Sequence, residues 1–297
     1  MRPDTRESYE ARILRVLVHV QDHLDEELPL EDLARIANCS PFHFHGIFSG
    51  MVGEGVKEHV RRLRLERAAQ RLRFTGRPVV DLALEAGFEA HESFTRAFHA
   101  LFGLSPSEYR KSRGMVAYGP SRAGIHYSGT GSLDGFRPIR HEAPLPVRLE
   151  TLAPARVAFR RHVGAYADVG QTWSALMAWA GPRGLVGPAS RFCGIVHDDP
   201  EVTPPEKMRY DAAFTIGDGV AVEGAIGVQM IEGRFVVTTH RGSYETISQT
   251  YHRLCGEWLP LSGKELRSGP SLEFYLNSPR SVPAEDLMTA IYLPLEV

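Results

Sequence analysis

The chain has 297 residues, 43 % of them hydrophobic, with 34 basic against 36 acidic side chains. That length allows about two domains with packed cores, and a formal charge of −2 excludes a chain held to nucleic acid or anionic membrane by bulk charge alone. Cys39, Cys193 and Cys255 lack the spacing of a disulfide framework, no apolar run reaches the ~18 residues of a membrane helix, and the opening MRPDTRESYE is not patterned as a signal peptide, so a soluble cytoplasmic protein is expected.

From Ser8 an amphipathic helix carries Ile13, Leu14, Leu17, Val18, Val20 and Leu24. His19 and His23 lie four apart on it, but no third ligand accompanies them, and a solvated face is the plainer reading. Leu33, Ala34 and Ala37 then lead into a turn, after which Pro41 opens a helix to about Ser49. Phe44, Ile47 and Phe48 form its core face, leaving Phe42, His43, His45 and Gly46 outward. His43 and His45, two apart, point away from each other and cannot share a zinc ion.

Residues 55–74, GVKEHVRRLRLERAAQRLRF, read as one long helix of roughly 28 Å. Between Lys57 and Arg77 stand eight basic and two acidic residues, a local +6. Such a run is a solvated face or a set of phosphate contacts. The pattern of the first unit then returns. Leu33, Ala34 and Ala37 recur as Leu82, Ala83 and Ala86 at an offset of 49, and Phe44, Phe48 and Gly53 as Phe94, Phe98 and Gly103 at an offset of 50. The extra residue falls in the turn, where insertion is tolerated. In the second unit Phe94, Ala97 and Phe98 turn inward, while His91, Glu92, Thr95 and Arg96 turn outward. Arg96 can reach guanine O6/N7 or a phosphate, and Glu92 can accept from cytosine N4. Two helix pairs on a rigid spacer close to the ~34 Å groove repeat can dock in adjacent major grooves from one monomer; an ordinary helical hairpin repeated twice is the alternative.

Residues 8–113 resemble the DNA-binding domain of AraC/XylS-type transcription regulators through LARIANCSPFHFHGIF, RLRLERA, RPVVDLALEAGF and SFTRAFHALFGLSPSEYR. The resemblance implies a tandem helix-turn-helix domain bound to double-stranded promoter DNA. It places Phe42, His45 and Gly46 in the first unit, and His91, Glu92 and Arg96 in the second, at base-facing positions, with His43 and Thr95 beside them. Ser40, Arg61, Arg62 and Arg64 are the expected phosphate contacts. The first unit departs from the pattern, with Gly46 where a base-reading Arg is common. Two units in one chain leave a monomer or weak dimer as the expected state.

Residues 114–146 are punctuated by Gly and Pro without sustained periodicity and are expected to be a linker. Beyond it lies a second duplication. HVGAYADVGQTWSALMAW (162–179) aligns with HRGSYETISQTYHRLCGE (240–257) at an offset of 78, and Pro200, Pro204 and Glu206 return as Pro279, Pro283 and Glu285 at 79. Each repeat reads strand, helix, strand, strand. The expected strands are 156–161, 192–197 and 209–216, then 234–240, 272–276 and 288–294, and the helices about 167–180 and 245–259. Two βαββ units pairing about a pseudo-two-fold axis give one sheet with both helices on one face. The whole is thus an α+β chain of two domains, 1–113 all-α and 147–297 duplicated βαββ.

This half resembles the GyrI-like effector-binding domain, carried by VAFRRHVGAYADVGQTWSAL, by PPEKMRYDAAF and by HRGSYETISQTYHRLCGEWLP with EFYLNSP. In that family a glutamate on the late strand lines an aromatic-walled pocket, and Glu273 is the matching residue. Tyr166, Trp173, Trp179, Tyr210, Tyr251 and Tyr275 are candidates for the wall. A carboxylate in an apolar aromatic cup attracts a lipophilic cation; Trp173 as plain core, and Glu273 as a hydrogen-bonded sheet carboxylate, are the simpler readings. A ligand-controlled transcription regulator without cofactor or metal is the leading expectation. The alternatives are a GyrI-like hydrolase using Glu273 with Tyr275, although no Ser-His-Asp, metal or phosphate-loop signature accompanies them, and a C-terminal unit that docks a protein such as RNA polymerase.

Overall fold

The computed structural model describes residues 8–112, 115–133 and 135–296. Contacts divide the chain into two units, one ending at Arg140 and the other starting at His141. Among the described residues no helix is long and apolar enough to cross a membrane.

The first unit comprises α1 (Tyr9–Asp22), α2 (Leu30–Ile36), α3 (Pro41–Val52), α4 (Val56–Phe74), α5 (Val79–Glu85), α6 (His91–Phe102) and α7 (Pro106–Lys111). Each boundary has a local cause. The Ser8 hydroxyl caps α1, Pro41 stands at the first position of α3, and Ser105 and Glu108 form a reciprocal capping box ahead of α7. The repeat is visible in the backbone: α3 and α6 both have 12 residues, and both stop at a left-handed glycine, Gly53 at φ 83° and Gly103 at φ 74°, a conformation that costs glycine little. The α2–α3 turn is residues 37–40 and the α5–α6 turn 86–90, so the added residue does fall in the turn. Phe98 meets Tyr109 edge to face and Phe94 at a tilt, and the three rings pack with Leu65, Ala69 and Leu72 of α4 to make the second pair's core.

The spacer helix α4 is held by buried charge. Glu66, fully buried, accepts from Arg62 at 2.9 Å. Arg62 also grips Glu54, which accepts from His59 at 2.8 Å as well. Burial alone would raise the Glu54 carboxyl, but the hydrogen bonds from His59 and Arg62 outweigh it and hold it at about 2. The remaining acceptor capacity of Glu66 is spent on a distant segment: the Gly119 and Tyr127 amides donate to it at 3.0 and 2.8 Å.

That contact changes the reading of the Gly/Pro-rich stretch. It is no free tether. Ala123 and Ile125 are buried, the Gln21 side chain donates to the His126 carbonyl at 2.7 Å, the Ala117 amide donates to the Tyr109 hydroxyl at 2.8 Å, and the Ile139 amide donates to the Met51 carbonyl at 2.9 Å. A segment without periodicity satisfies its backbone on the helices it crosses, so the unit boundary falls after Arg140 and not at 113; Arg113 and Gly114 lie outside the described residues.

The second unit contains β1 (Arg148–Val163), α8 (Val169–Ala180), β2 (Phe192–Val196), β3 (Arg209–Thr215), β4 (Gly227–Arg241), α9 (Ile247–Arg253), α10 (Leu259–Ser262), β5 (Ser271–Tyr275) and β6 (Met288–Pro294). The strands are antiparallel in the order β1-β3-β2-β5-β6-β4. β1 and β4 are much longer than the sequence pattern suggests, and their early residues pair with each other from Arg148↔Val237 to Phe159↔Gly227. The expected single sheet therefore closes into a barrel. Each repeat is latched alike. His162 Nε2 donates to the Ala165 carbonyl at 3.0 Å and its Nδ1 meets Thr172 Oγ1 at 3.0 Å; His240 does the same with Ser243 at 3.1 Å and Thr250 at 2.8 Å. The carbonyl can only accept, so Nε2 carries a hydrogen in both rings.

Replacing Glu66 with alanine is expected to cost the first unit about 3 kcal/mol, because Arg62 loses a buried partner. Hydrogen exchange should then accelerate at the Gly119 and Tyr127 amides. Unchanged protection at both would show that the crossing segment holds without the carboxylate.

Candidate functional site

In α6, His91, Glu92 and Arg96 are exposed, consistent with their outward placement. Glu92 stands in the first turn, where a carboxylate complements the helix dipole, and Arg96 donates to the Ser93 hydroxyl at 3.3 Å. Thr95 is only half exposed and its hydroxyl is enclosed without a hydrogen-bond partner, so it turns partly inward.

The first unit departs from the expected outward set. His43, His45 and Gly46 are buried in α3, and Phe42 is half-buried. His43 Nδ1 lies 3.1 Å from the hydroxyl of Ser40, which also caps the helix, and burial pushes its pKa down to about 4. It is a neutral ring tied to its own helix start. His45 Nε2 meets the Ser49 hydroxyl one turn on at 3.2 Å. Helical periodicity assigned these polar side chains to the solvent face by default; His43 and His45 instead each meet a local hydroxyl, and His43 Nε2 is enclosed without a hydrogen-bond partner among the described residues.

The basic run along α4 is mostly consumed inside the fold. Arg62 is 5 % exposed within the Glu54–Glu66 network. Arg64 donates to the carbonyls of Leu24 and Glu26 at 2.8 and 2.6 Å, Arg67 pairs with Asp25, and Arg71 and Arg77 both pair with Glu85. Arg62 and Arg64 are thus structural, against expectation. Arg61 and Lys57 are exposed, Arg61 over the Phe88 ring at 5.6 Å.

The second site sits on the helix-covered face of the barrel. Ser271, Glu273 and Tyr275 alternate onto that face of β5. Glu273 is 8 % exposed, and among the described residues no Lys or Arg pairs with it. Its partners are hydroxyls aimed inward in sequence. Trp173 Nε1, which can only donate, gives its hydrogen to the Tyr210 hydroxyl at 3.2 Å; Tyr210 lies 2.6 Å from the Tyr275 hydroxyl; and Tyr275 donates to Glu273 Oε2 at 3.3 Å. On the other side Tyr251 donates to Oε1 at 3.0 Å and sits 3.1 Å from the Ser271 hydroxyl. Trp173, Tyr210 and Tyr275 thus form a directed chain ending on the carboxylate. Burial raises the Glu273 carboxyl from 4.5 to about 7, although the Tyr251 and Tyr275 hydrogen bonds pull the other way. Burial, and then the Glu273 charge, raise the pKa values of Tyr166, Tyr210 and Tyr251.

The duplication explains the assembly. Glu273 and Gly194 are equivalent positions, 79 apart, and they are direct cross-strand partners on β5 and β2. A Cβ at 194 would come within 2.5 Å of the Tyr210 ring. Only the repeat that lacks a side chain there lets Tyr210 lie beside the other repeat's carboxylate. Trp173 and Tyr251 are equivalent residues on α8 and α9, and Tyr166 and Tyr244 are equivalent residues on the short turns that precede them. Tyr166 packs on Tyr210 at 5.7 Å, while Trp173 and Tyr244 pack on Tyr275 at 5.7 and 5.6 Å. Six of the seven expected residues therefore converge. Trp179 does not; it packs in the α8 core beside Arg183. Tyr244 and Ser271 belong to the cage and were not singled out, although Tyr244 was legible as the repeat partner of Tyr166.

Because folded Glu273 keeps its proton well above the ordinary 4.5, its stabilising contribution is complete below about pH 4.5 and is lost as pH rises through about 7. Thermal unfolding across that window should show the wild type losing stability relative to Glu273→Gln. A difference that stays constant with pH would mean the carboxyl titrates normally.

Comparison with known proteins fits this division. A model of the GyrI-like small molecule binding domain matches residues 145–296, half of the chain, and a helix-turn-helix domain model matches residues 33–112. The Transcriptional regulator Rob of Salmonella typhimurium is 36 % identical over 111 residues, covering 37 % of this chain and 38 % of that protein, so the chain spans well under half of the length of the first relatives it matches. The Transposon Tn10 TetD protein of Escherichia coli is 33 % identical over 110 residues, covering 37 % of this chain and 80 % of that protein. The HTH-type transcriptional activator AarP of Providencia stuartii is 36 % identical over 100 residues, covering 34 % of this chain and 74 % of that protein. The chain belongs to the AraC-type helix-turn-helix regulator family and carries a C-terminal GyrI-like small-molecule-binding domain.

Proposed function

We propose that this protein regulates transcription by binding promoter DNA through its helical unit, and that its C-terminal unit senses a lipophilic cation. The observation that carries the second half is Glu273: a buried carboxyl without a cationic partner among the described residues, ringed by aromatic faces. Leaving such a group charged is costly, so near pH 7 it is shared between its proton and the surrounding hydroxyls. A lipophilic cation replaces the proton, and the rings add cation–π attraction. Uncharged and anionic ligands of the same size lack that gain.

For DNA, α6 supplies the base-facing side chains. Arg96 offers a bidentate fork to guanine, and Glu92 accepts from cytosine and repels wrongly placed phosphates. Arg61 and Lys57, the exposed cations of the α4 run, make phosphate contacts. Effector and DNA are coupled to the extent that the cation binds the DNA-bound and free forms with different affinity.

On a duplex selected by the wild-type protein from randomised DNA, Arg96→Ala should weaken specific binding by about 1–3 kcal/mol, while Arg61→Ala should reduce the salt slope by about 1. Retained affinity in Arg96→Ala would overturn the α6 assignment. In the full chain, tetraphenylphosphonium should bind more tightly as pH rises from 6 to 8, and Glu273→Gln should remove both that pH dependence and most of the affinity. Equal binding by that variant would leave Glu273 a structural carboxyl.

A further inference from the structure

The inner face of the barrel is not symmetric across the duplication. In the first repeat, buried Asp211 takes two guanidinium nitrogens of Arg161 at 2.7 Å each and the His197 ring at 2.8 Å. The equivalent positions in the second repeat, at offsets of 78 and 79, are Ala290, Thr239 and Leu276. The strand registers agree, with Arg161 opposite Asp211 on β1 and β3, and Thr239 opposite Ala290 on β4 and β6. One end of the inner face is therefore filled by an ion cluster, while its counterpart has small and apolar side chains.

The space left is an open cavity of about 530 Å³, bordered by Thr239, Leu276 and Ala290 together with Arg148, Arg191 and Phe274. That volume is in the range of small-molecule sites. Its Phe274, Ala290 and Tyr292 lining lies on the side of the sheet opposite the Glu273 carboxyl, since these residues belong to the inner core and Glu273 alternates away from it, while Tyr275 of the cage also borders the cavity.

The charge in this cavity is the reverse of that in the cage. The Arg191 guanidinium lies over the Phe274 ring at 4.0 Å and reaches the Tyr292 hydroxyl at 3.5 Å. Among the described residues no carboxylate pairs with it. Arg148 pairs with Glu150 through Nε at 3.1 Å and approaches the same Tyr292 hydroxyl at 3.5 Å. The Tyr292 hydroxyl donates to Glu150 at 3.0 Å. Two guanidinium groups thus face one carboxylate, and Arg191 is pre-oriented by stacking with its donors available. Neither arginine has a basic counterpart in the other repeat: position 270 is Pro and position 226 is Ile.

We propose that this inner-face cavity is a second ligand site, for an organic monoanion with a flat apolar body. The carboxylate or sulfonate head takes the planar fork of Arg191, where a guanidinium is superior to an ammonium. The body lies on Leu276 and Ala290, in the volume that the ion cluster occupies in the other repeat. The protein would then read two ligand classes of opposite charge on opposite faces of one sheet.

Calorimetric titration of the full chain with naphthalene-2-carboxylate, against the neutral 2-naphthalenemethanol, tests this. The carboxylate should bind at least tenfold more tightly than the alcohol. Arg191→Gln should weaken it at least tenfold; Arg191 is exposed, so the change does not endanger folding. The double variant Thr239→Arg with Ala290→Asp, which copies the ion pair of the first repeat, should stay folded by thermal melting and abolish binding. Absence of binding to the wild type, equal affinity for the alcohol, or undiminished binding in Arg191→Gln and in the plugged variant would each overturn the proposal.

Discussion

The second unit is organised by one unbalanced pair. At the meeting point of its two repeats, one central strand presents the Glu273 carboxyl and its partner presents Gly194. Symmetric side chains here would set two carboxylates against each other or leave an apolar seam. The actual pair places a single acid at the axis and frees the space beside it for Tyr210, a buried ring that reaches Tyr275. From that exchange follow the donor chain from Trp173, the second hydroxyl from Tyr251, and a carboxyl that holds its proton near neutrality. Duplication supplies the aromatic walls in pairs; loss of symmetry at two positions supplies the chemistry.

Buried charge plays a different part in the first unit. Glu66 and Arg62 lie on one face of α4, and the carboxylate oxygens of Glu66 that Arg62 leaves free are taken by amides of residues far along the chain. A buried hydrogen-bonded network tolerates little rearrangement. The spacer helix is therefore also the anchor of the segment that precedes the second unit. Most of its arginines serve the fold, while Arg61 and Lys57 are exposed.

Much of this was legible from residues alone. Apolar spacing, the helix starts at Ser8 and Pro41 and the recurrence of Gly53 as Gly103 located the helices, because each is a local signal. The two duplications located both pairs of helices and the central strands. What could not be read were features decided by partners distant in sequence. The pairing of residues 148–152 with 233–237 closes the barrel, yet 148–152 lies outside the expected strands. Glu66 binds the Gly/Pro segment through backbone amides, which have no sequence signature. His43 and Arg62 looked outward by periodicity and polarity, and a hydroxyl and two carboxylates respectively hold them in. Glu273 and its ring were legible through family resemblance. Tyr244 needed only the repeat offset, and Trp179 was included on residue type alone.

The central claim is that Glu273 exchanges its proton for a cationic ligand. It is tested most directly by counting protons. Tetraphenylphosphonium would be titrated into the full chain at pH 6.5 in buffers of differing ionisation enthalpy, and the slope of the observed heat gives the protons released. With a carboxyl at about 7, binding should release more than half a proton, approaching about one at lower pH. Binding with no proton released would contradict the account, because the carboxyl would then be either ionised beforehand or irrelevant to the ligand.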